Sequence, residues 1–179
     1  GGLLESPSIE FGEDSDPRLV EHMLASVAQH QREKNAEQTS NRMKGRLLNG
    51  YAVFCAPIGY KYEKRGQHGK ILIRDEPVAS IIQEALESYA SGRFTSQAEI
   101  KRFFERHPDY PKDGPNGTVR QQRVSDMLSR VIYAGYIEHG PWKVSRRLGH
   151  HEPIISLDTF EAIQARKAEK TIAPMRQQL

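Results

Sequence analysis

Few of the 179 residues carry side chains suited to covalent or metal chemistry. The single cysteine, Cys55, stands between Phe54 and Ala56 and reads as a small buried residue rather than a nucleophile. One cysteine also excludes an internal disulfide, paired-thiol catalysis and any cysteine-rich zinc module. His150, His151 and Glu152 are consecutive, but adjacent histidines on an extended segment point to opposite sides, and no further ligands stand at a metal-site spacing. No metal and no cofactor is expected. What the chain holds in quantity is cations, unevenly placed. Residues 29–75 carry ten basic and four acidic side chains and residues 111–150 seven and three, whereas residues 1–28 carry one and six, for a net charge of +3. Two basic blocks suit neutralisation of a polyanion and release of its counterions; the alternative is a solvated basic face.

The elements that must position these cations can be read from periodicity. Leu3–Phe11 suggests a terminal strand. Ser15, Asp16 and Pro17 form a helix start, with proline where its missing N–H costs nothing. From Asp16 to about Leu48 a helix of roughly 48 Å is expected. Its first half carries an apolar stripe at Leu19, Val20, Met23, Leu24, Val27 and Ala28, so it should pack at its start; its later half carries Arg32, Lys34, Arg42, Lys44 and Arg46 and has little core to bury. After Asn49-Gly50, the alternation of Ile58, Tyr60 and Tyr62 followed by Ile71–Ile73 predicts a hairpin with a basic tip over 63–69. Helices are expected from Asp75-Pro77, from Thr95 or Ser96, and from a cap at Thr118. A second hairpin should pair Tyr136–Glu138 with Trp142–Val144, and a last helix should start at Ser156 or Asp158.

These elements make an α+β, mostly helical protein: a long linker helix followed by a winged-helix-like domain with short β-hairpins. In that arrangement the third helix enters the major groove and the wing touches backbone or minor groove. The candidate DNA-contacting residues are Arg42, Lys44 and Arg46 on the long helix, and Lys64 and Arg65 at the first hairpin. Thr118, Arg120, Gln121, Gln122 and Arg123 stand at the third helix, and Arg146 and Arg147 in the wing. Glutamine and arginine at a helix start can read base edges, whereas cations along a backbone-tracking helix hold phosphates. No run approaches the roughly 18 apolar residues of a membrane span, and the opening residues lack a signal-peptide pattern, so a cytoplasmic location is expected.

Four stretches are specific enough to carry a resemblance. Met23 through Thr39 is similar to the long helix that ends the catalytic domain of serine site-specific recombinases, and Ala56-Pro57-Ile58-Gly59-Tyr60 resembles the Pro-x-Gly-Tyr opening of the recombinase domain in their larger members. Met127-Leu128 through Tyr133-Ala134-Gly135-Tyr136 resembles the Leu-x-Asn-x-x-Tyr-x-Gly element, and His151–Ile155 with Phe160 the segment that closes that domain. The resemblance implies a parent that cuts and rejoins DNA through a phosphoserine link without metal, and a bacterial or phage origin. It divides the chain into 1–48, the end of the catalytic domain with the linker helix, 49–170, the DNA-binding recombinase domain, and 171–179, a tail toward a further region. A catalytic arginine of the family falls on Arg32, with Gln31 where the family usually has glutamate. The nucleophilic serine belongs to a stretch outside this sequence, so the fragment is expected to be inactive alone. The implied partners are double-stranded DNA and a second copy of the chain, with a tetramer in the parent's synaptic complex. The alternatives are a stand-alone dimeric DNA-binding transcriptional regulator and, less well matched to the cations, a structural rod.

Overall fold

The computed structural model describes residues 17–114 and 116–171, so the expected strand at Leu3–Phe11, the cap at Ser15-Asp16 and the tail after Thr171 lie outside the described residues. The chain divides into two compact units, one ending at Arg42 and the other beginning at Met43.

Helix α1 spans Pro17–Leu48. Proline opens it, no glycine or proline interrupts it before Gly45, and spaced side-chain bonds such as Gln29 to Glu33 (2.8 Å) brace it, each worth about 0.2–0.5 kcal/mol. The apolar stripe does not pack as expected. Leu19, Met23, Leu24 and Val27 are 45–67% exposed.

The second unit opens with the last turn of α1, which Gly50 ends at a φ of 79°; a Cβ there would sit 2.7 Å from the Leu148 carbonyl oxygen. Strands β1 (Tyr60–Arg65) and β2 (Gly69–Arg74) pair antiparallel, with Tyr60 opposite Arg74 and Arg65 opposite Gly69. The strands reach further into the basic tip than alternation alone suggests, leaving a single 3₁₀ turn at Gly66–His68. Helix α2 (Val78–Ala90) follows, then α3 (Gln97–Arg106), whose start is a capping box between Ser96 and Glu99. Helix α4 (Gln121–Ser129), the antiparallel pair β3 (Tyr136–His139) and β4 (Val144–Leu148), and α5 (Leu157–Thr171) complete the order.

Helix α2 packs on α3 and α5, and α4 packs on α3 and α5. Ile82 and Leu86 of α2, Ile100 and Phe104 of α3, Leu128 of α4, and Ile163 of α5 meet in one core with Tyr60 and Leu72 of the first hairpin. Full burial of such a side chain stabilises by about 1.5–3 kcal/mol. A smaller core of Leu47, Ile137 and Val144, with Trp142 against it, seats the second hairpin on the end of α1.

Three further expectations need correction. The third helix is not capped by Thr118 but begins after Arg120, because the preceding amides are taken elsewhere: Val119 N–H donates to Glu105 Oε1 (3.0 Å) and Arg120 N–H to Asp113 Oδ2 (2.7 Å). The second strand of the second hairpin is Val144–Leu148 rather than Trp142–Val144, because Gly140–Trp142 forms a 3₁₀ turn and Lys143 takes a φ of 53°. Cys55 is exposed; the bend at Phe54-Cys55 turns its thiol outward while Pro57 goes inward.

The family-like stretches 56–60, 127–136 and 151–155 converge into one interior knot. Gly59, at a φ of 89°, has no room for a side chain, since a Cβ would lie 2.7 Å from Ile82 Cδ1. The Tyr133 hydroxyl donates to the Ile58 carbonyl (3.0 Å) and the Tyr60 hydroxyl to the Glu152 carbonyl (2.8 Å). Burial raises both phenols well above the ordinary tyrosine range. His151 is buried, 2.7 Å from the Ile132 carbonyl through Nε2, with its ring edge-on to Tyr60. Its neighbour His150 faces the other way and bonds the Asn49 carbonyl (2.9 Å), so the two rings point apart as the extended segment requires.

Candidate nucleic-acid interface

Two cationic surfaces emerge in the second unit. The first is assembled from three separate parts of its chain. Arg46, near the end of α1, donates through Nη2 to the Lys70 carbonyl (3.0 Å) and lies over the Tyr51 ring at 4.8 Å. The Tyr51 hydroxyl meets His68 Nδ1 at 2.7 Å, and the Tyr51 ring stacks on His150 at 4.3 Å. Arg147 of β4 donates through Nη1 to the Leu48 carbonyl (2.7 Å). These contacts knit Arg46, His68, Lys70, Arg147 and His150 into one patch. Beside it, Lys64 and Lys70 stand directly opposite each other in the β1–β2 register, both exposed and without an ion pair among the described residues.

Arg65 pairs with Glu63 and Arg146 with Glu138, both at 3.0 Å. All four side chains are more than two-fifths exposed, and pairs of this kind contribute under about 1 kcal/mol, so a phosphate can compete for either arginine.

The second surface is the start of α4, where the loop from α3 delivers the chain. Arg120, the residue before the first turn, is exposed, as is Arg130 just beyond the last turn, and neither has an ion pair among the described residues. With Gln122, Arg123, Asp126 and Tyr133 they line a cleft of about 310 Å³. The glutamines are held in place: Gln121 donates to Gln97 of α3 (3.2 Å) and Gln122 to Asp126 one turn on (2.7 Å). Arg123 is spent internally, paired with Asp113 and donating to the Pro111 carbonyl (2.9 Å). Beneath this loop Tyr110 stacks on Phe104 at 4.1 Å, and burial pushes its phenol up to about 12.

The remaining expected residues are less concentrated. Thr118 is exposed and accepts the Asp113 N–H through its carbonyl (2.9 Å). Lys44 is exposed on the last part of α1. Arg32 and Arg42, in the first unit, are exposed on the same helix, with no hydrogen bond or ion pair among the described residues. Lys70, Arg130 and the Tyr51–His68–His150 ring cluster are not among the residues expected from the sequence. Lys70 was within reach, since an antiparallel register through a short tip sets it across from Lys64. The cluster was not, because it joins residues about a hundred positions apart.

Helices α2, α3 and α4 followed by a two-stranded hairpin, with unneutralised arginines flanking α4, define a small α+β domain with cationic faces. The family model described as Recombinase matches residues 76–170, more than half of the sequence, and the chain belongs to that family. Two solved structures share the fold. A crystal structure of an LSR–DNA complex is 18% identical over 77% of this chain and 41% of its own, with a TM-score of 0.58. A structure reported on the sequence requirements of the Listeria innocua prophage attP site is 19% identical over 74% of this chain and 51% of its own, with a TM-score of 0.56. The chain thus spans about half or less of the length of these structures. No curated protein matches it. Among the described residues no helix is long and apolar enough to cross a membrane.

Proposed function

We propose that the unit from Met43 onward is the DNA-binding part of a serine recombinase and recognises half of a recombination site. The observation that carries this reading is the set of exposed cations without an acidic partner among the described residues, Lys64, Lys70, Arg120 and Arg130, on a Recombinase-family body. An LSR–DNA complex sharing the fold supports it. In this reading the held glutamines of α4 face base edges, while the Arg46–Lys70–Arg147 patch and the hairpin tip hold phosphates. The β3–β4 pair serves as the wing. The longer protein would cut and rejoin DNA through a phosphoserine, with Arg32 one of the guanidinium groups that stabilise phosphoryl transfer. The exposed Leu19, Met23 and Val27 offer a surface for a second copy. Membership of the Recombinase family weighs against a stand-alone regulator.

Anisotropy titration of a labelled duplex of arbitrary sequence tests the reading. With about six phosphate contacts, affinity should fall on the order of a thousandfold between 50 and 200 mM salt. A flat salt response would exclude phosphate neutralisation as the binding mode.

A further inference from the structure

Helix α4 begins without a side-chain cap: Arg120 occupies the cap position, and its side chain makes no capping hydrogen bond. A helix start leaves several amides unanswered, and here the loop from α3 answers for the chain that leads into it. Asp113 is the hinge of that arrangement. Its side chain is 9% exposed. One carboxylate oxygen, Oδ2, accepts the Arg120 N–H at 2.7 Å, and the other, Oδ1, pairs with Nη2 of Arg123, in the first turn of α4. Its own amide donates to the Thr118 carbonyl at 2.9 Å, closing the loop on itself. Arg123 completes the clamp by donating Nη1 to the Pro111 carbonyl at 2.9 Å. Glu105 and Lys112 tie the same loop to α3, through the Val119 amide and through the Phe104 and His107 carbonyls.

This clamp has an unusual charge consequence. Arg123 sits among residues that line the α4 cleft, yet its charge is matched by a nearly buried carboxylate rather than offered outward. The cations left for a ligand are Arg120 and Arg130 at the two ends of the helix, with Gln121 and Gln122 held between them. Backbone and side chain at the start of α4 are therefore fixed by one acid that need not touch DNA.

We infer that Asp113 is a positioning residue for sequence recognition: acting through Arg123 and the Arg120 amide, it sets the register in which Gln121 and Gln122 meet base edges, and it keeps Arg123 from binding phosphate indiscriminately. This rests on the reading that the start of α4 faces DNA. Removing the carboxylate has two linked effects of opposite sign. Base preference falls because the first turn loses its anchor, and sequence-independent binding rises because a guanidinium is released. A residue that merely supported the fold would lower both.

The test uses the full chain, a duplex that it enriches from a randomised pool, and a scrambled duplex of the same composition. Asp113→Asn should lower the enriched-to-scrambled affinity ratio by about tenfold. It should also steepen the salt dependence for the scrambled duplex by about one phosphate contact. Arg123→Ala should lower the ratio to the same extent without the steeper slope, and the double variant should lose no more than either single one. Thermal melts at the binding temperature confirm that each variant is folded. Should Asp113→Asn prove unfolded, Arg123→Lys, which keeps the charge and loses the fork, must still lower the ratio. The inference is overturned if Asp113→Asn leaves the ratio intact while Arg123→Ala abolishes it, since Arg123 would then read a base itself. A loss of both affinities with an unchanged slope also overturns it. If Gln122→Ala leaves the ratio unchanged, the reading of α4 as the base-facing element fails instead, and the inference falls with it.

Discussion

The interior knot of Gly59, Tyr60, Tyr133 and His151 and the exposed set of Lys64, Lys70, Arg120 and Arg130 lie in the same unit and are built on opposite terms. In the knot, both tyrosine hydroxyls and the histidine Nε2 meet backbone carbonyls, and the glycine leaves no space unfilled. In the exposed set, the charges have no acidic partner among the described residues. The contrast separates what makes the chain recognisable from what would make it useful. Three of the family-like stretches, 56–60, 127–136 and 151–155, hold this body together, while Lys64, Lys70 and Arg120 lie outside them and Arg130 stands on the exposed side of the second.

If that separation holds, variants in the knot should cost stability and spare the salt dependence of binding. The largest effect is expected for Gly59→Ala. The new Cβ would be forced against Ile82 at a positive φ, so a loss of about 3 kcal/mol is expected in urea unfolding, with the salt slope of the folded protein unchanged. A stable Gly59→Ala protein that binds DNA weakly would reverse the roles assigned to the two regions.

A smaller effect is expected from pH. Burial, the main cause, holds the His151 imidazole below its ordinary value of 6.5, with the neighbouring His150 adding to the shift and the Ile132 carbonyl opposing it. The unfolded chain therefore takes up this proton first. Stability should be level above about pH 7 and fall as the pH drops through 6.5, by at most about 1.4 kcal/mol per unit from this one group. His151→Gln should flatten that part of the profile in thermal melts between pH 7.5 and 5.5. An unchanged pH slope in the variant would assign the effect to other groups. Because His151 touches both Tyr60 of β1 and the turn after α4, its protonation should loosen both sides of the body together.

Much of the body was legible in the sequence because burial imposes a period. The stripe Ile81, Ile82, Ala85, Leu86 and Tyr89 gave α2, and the alternation of Tyr60 and Tyr62 gave β1. Thr118 is a good cap by type, whereas the start of α4 is decided by Asp113 and Glu105, whose partners lie seven and fourteen residues away. The spacing of the stripe on α1 reports amphipathicity and not the presence of a surface to cover it. At the candidate interface the residue types were readable. Their availability was not: Arg120 and Arg123 look equivalent in sequence, and only the fold pairs one of them with an acid.

Competition binding with an enriched and a scrambled duplex, comparing Gln122→Ala with Lys64→Ala in the full chain, tests most directly whether α4 reads sequence while the hairpin tip holds phosphate. Gln122→Ala is expected to lower the preference by about 1–3 kcal/mol with little effect on the scrambled duplex, and Lys64→Ala to weaken both duplexes alike and reduce the salt slope by about one contact. Equal weakening of both duplexes by Gln122→Ala, or a loss of preference confined to Lys64→Ala, would contradict that assignment of roles.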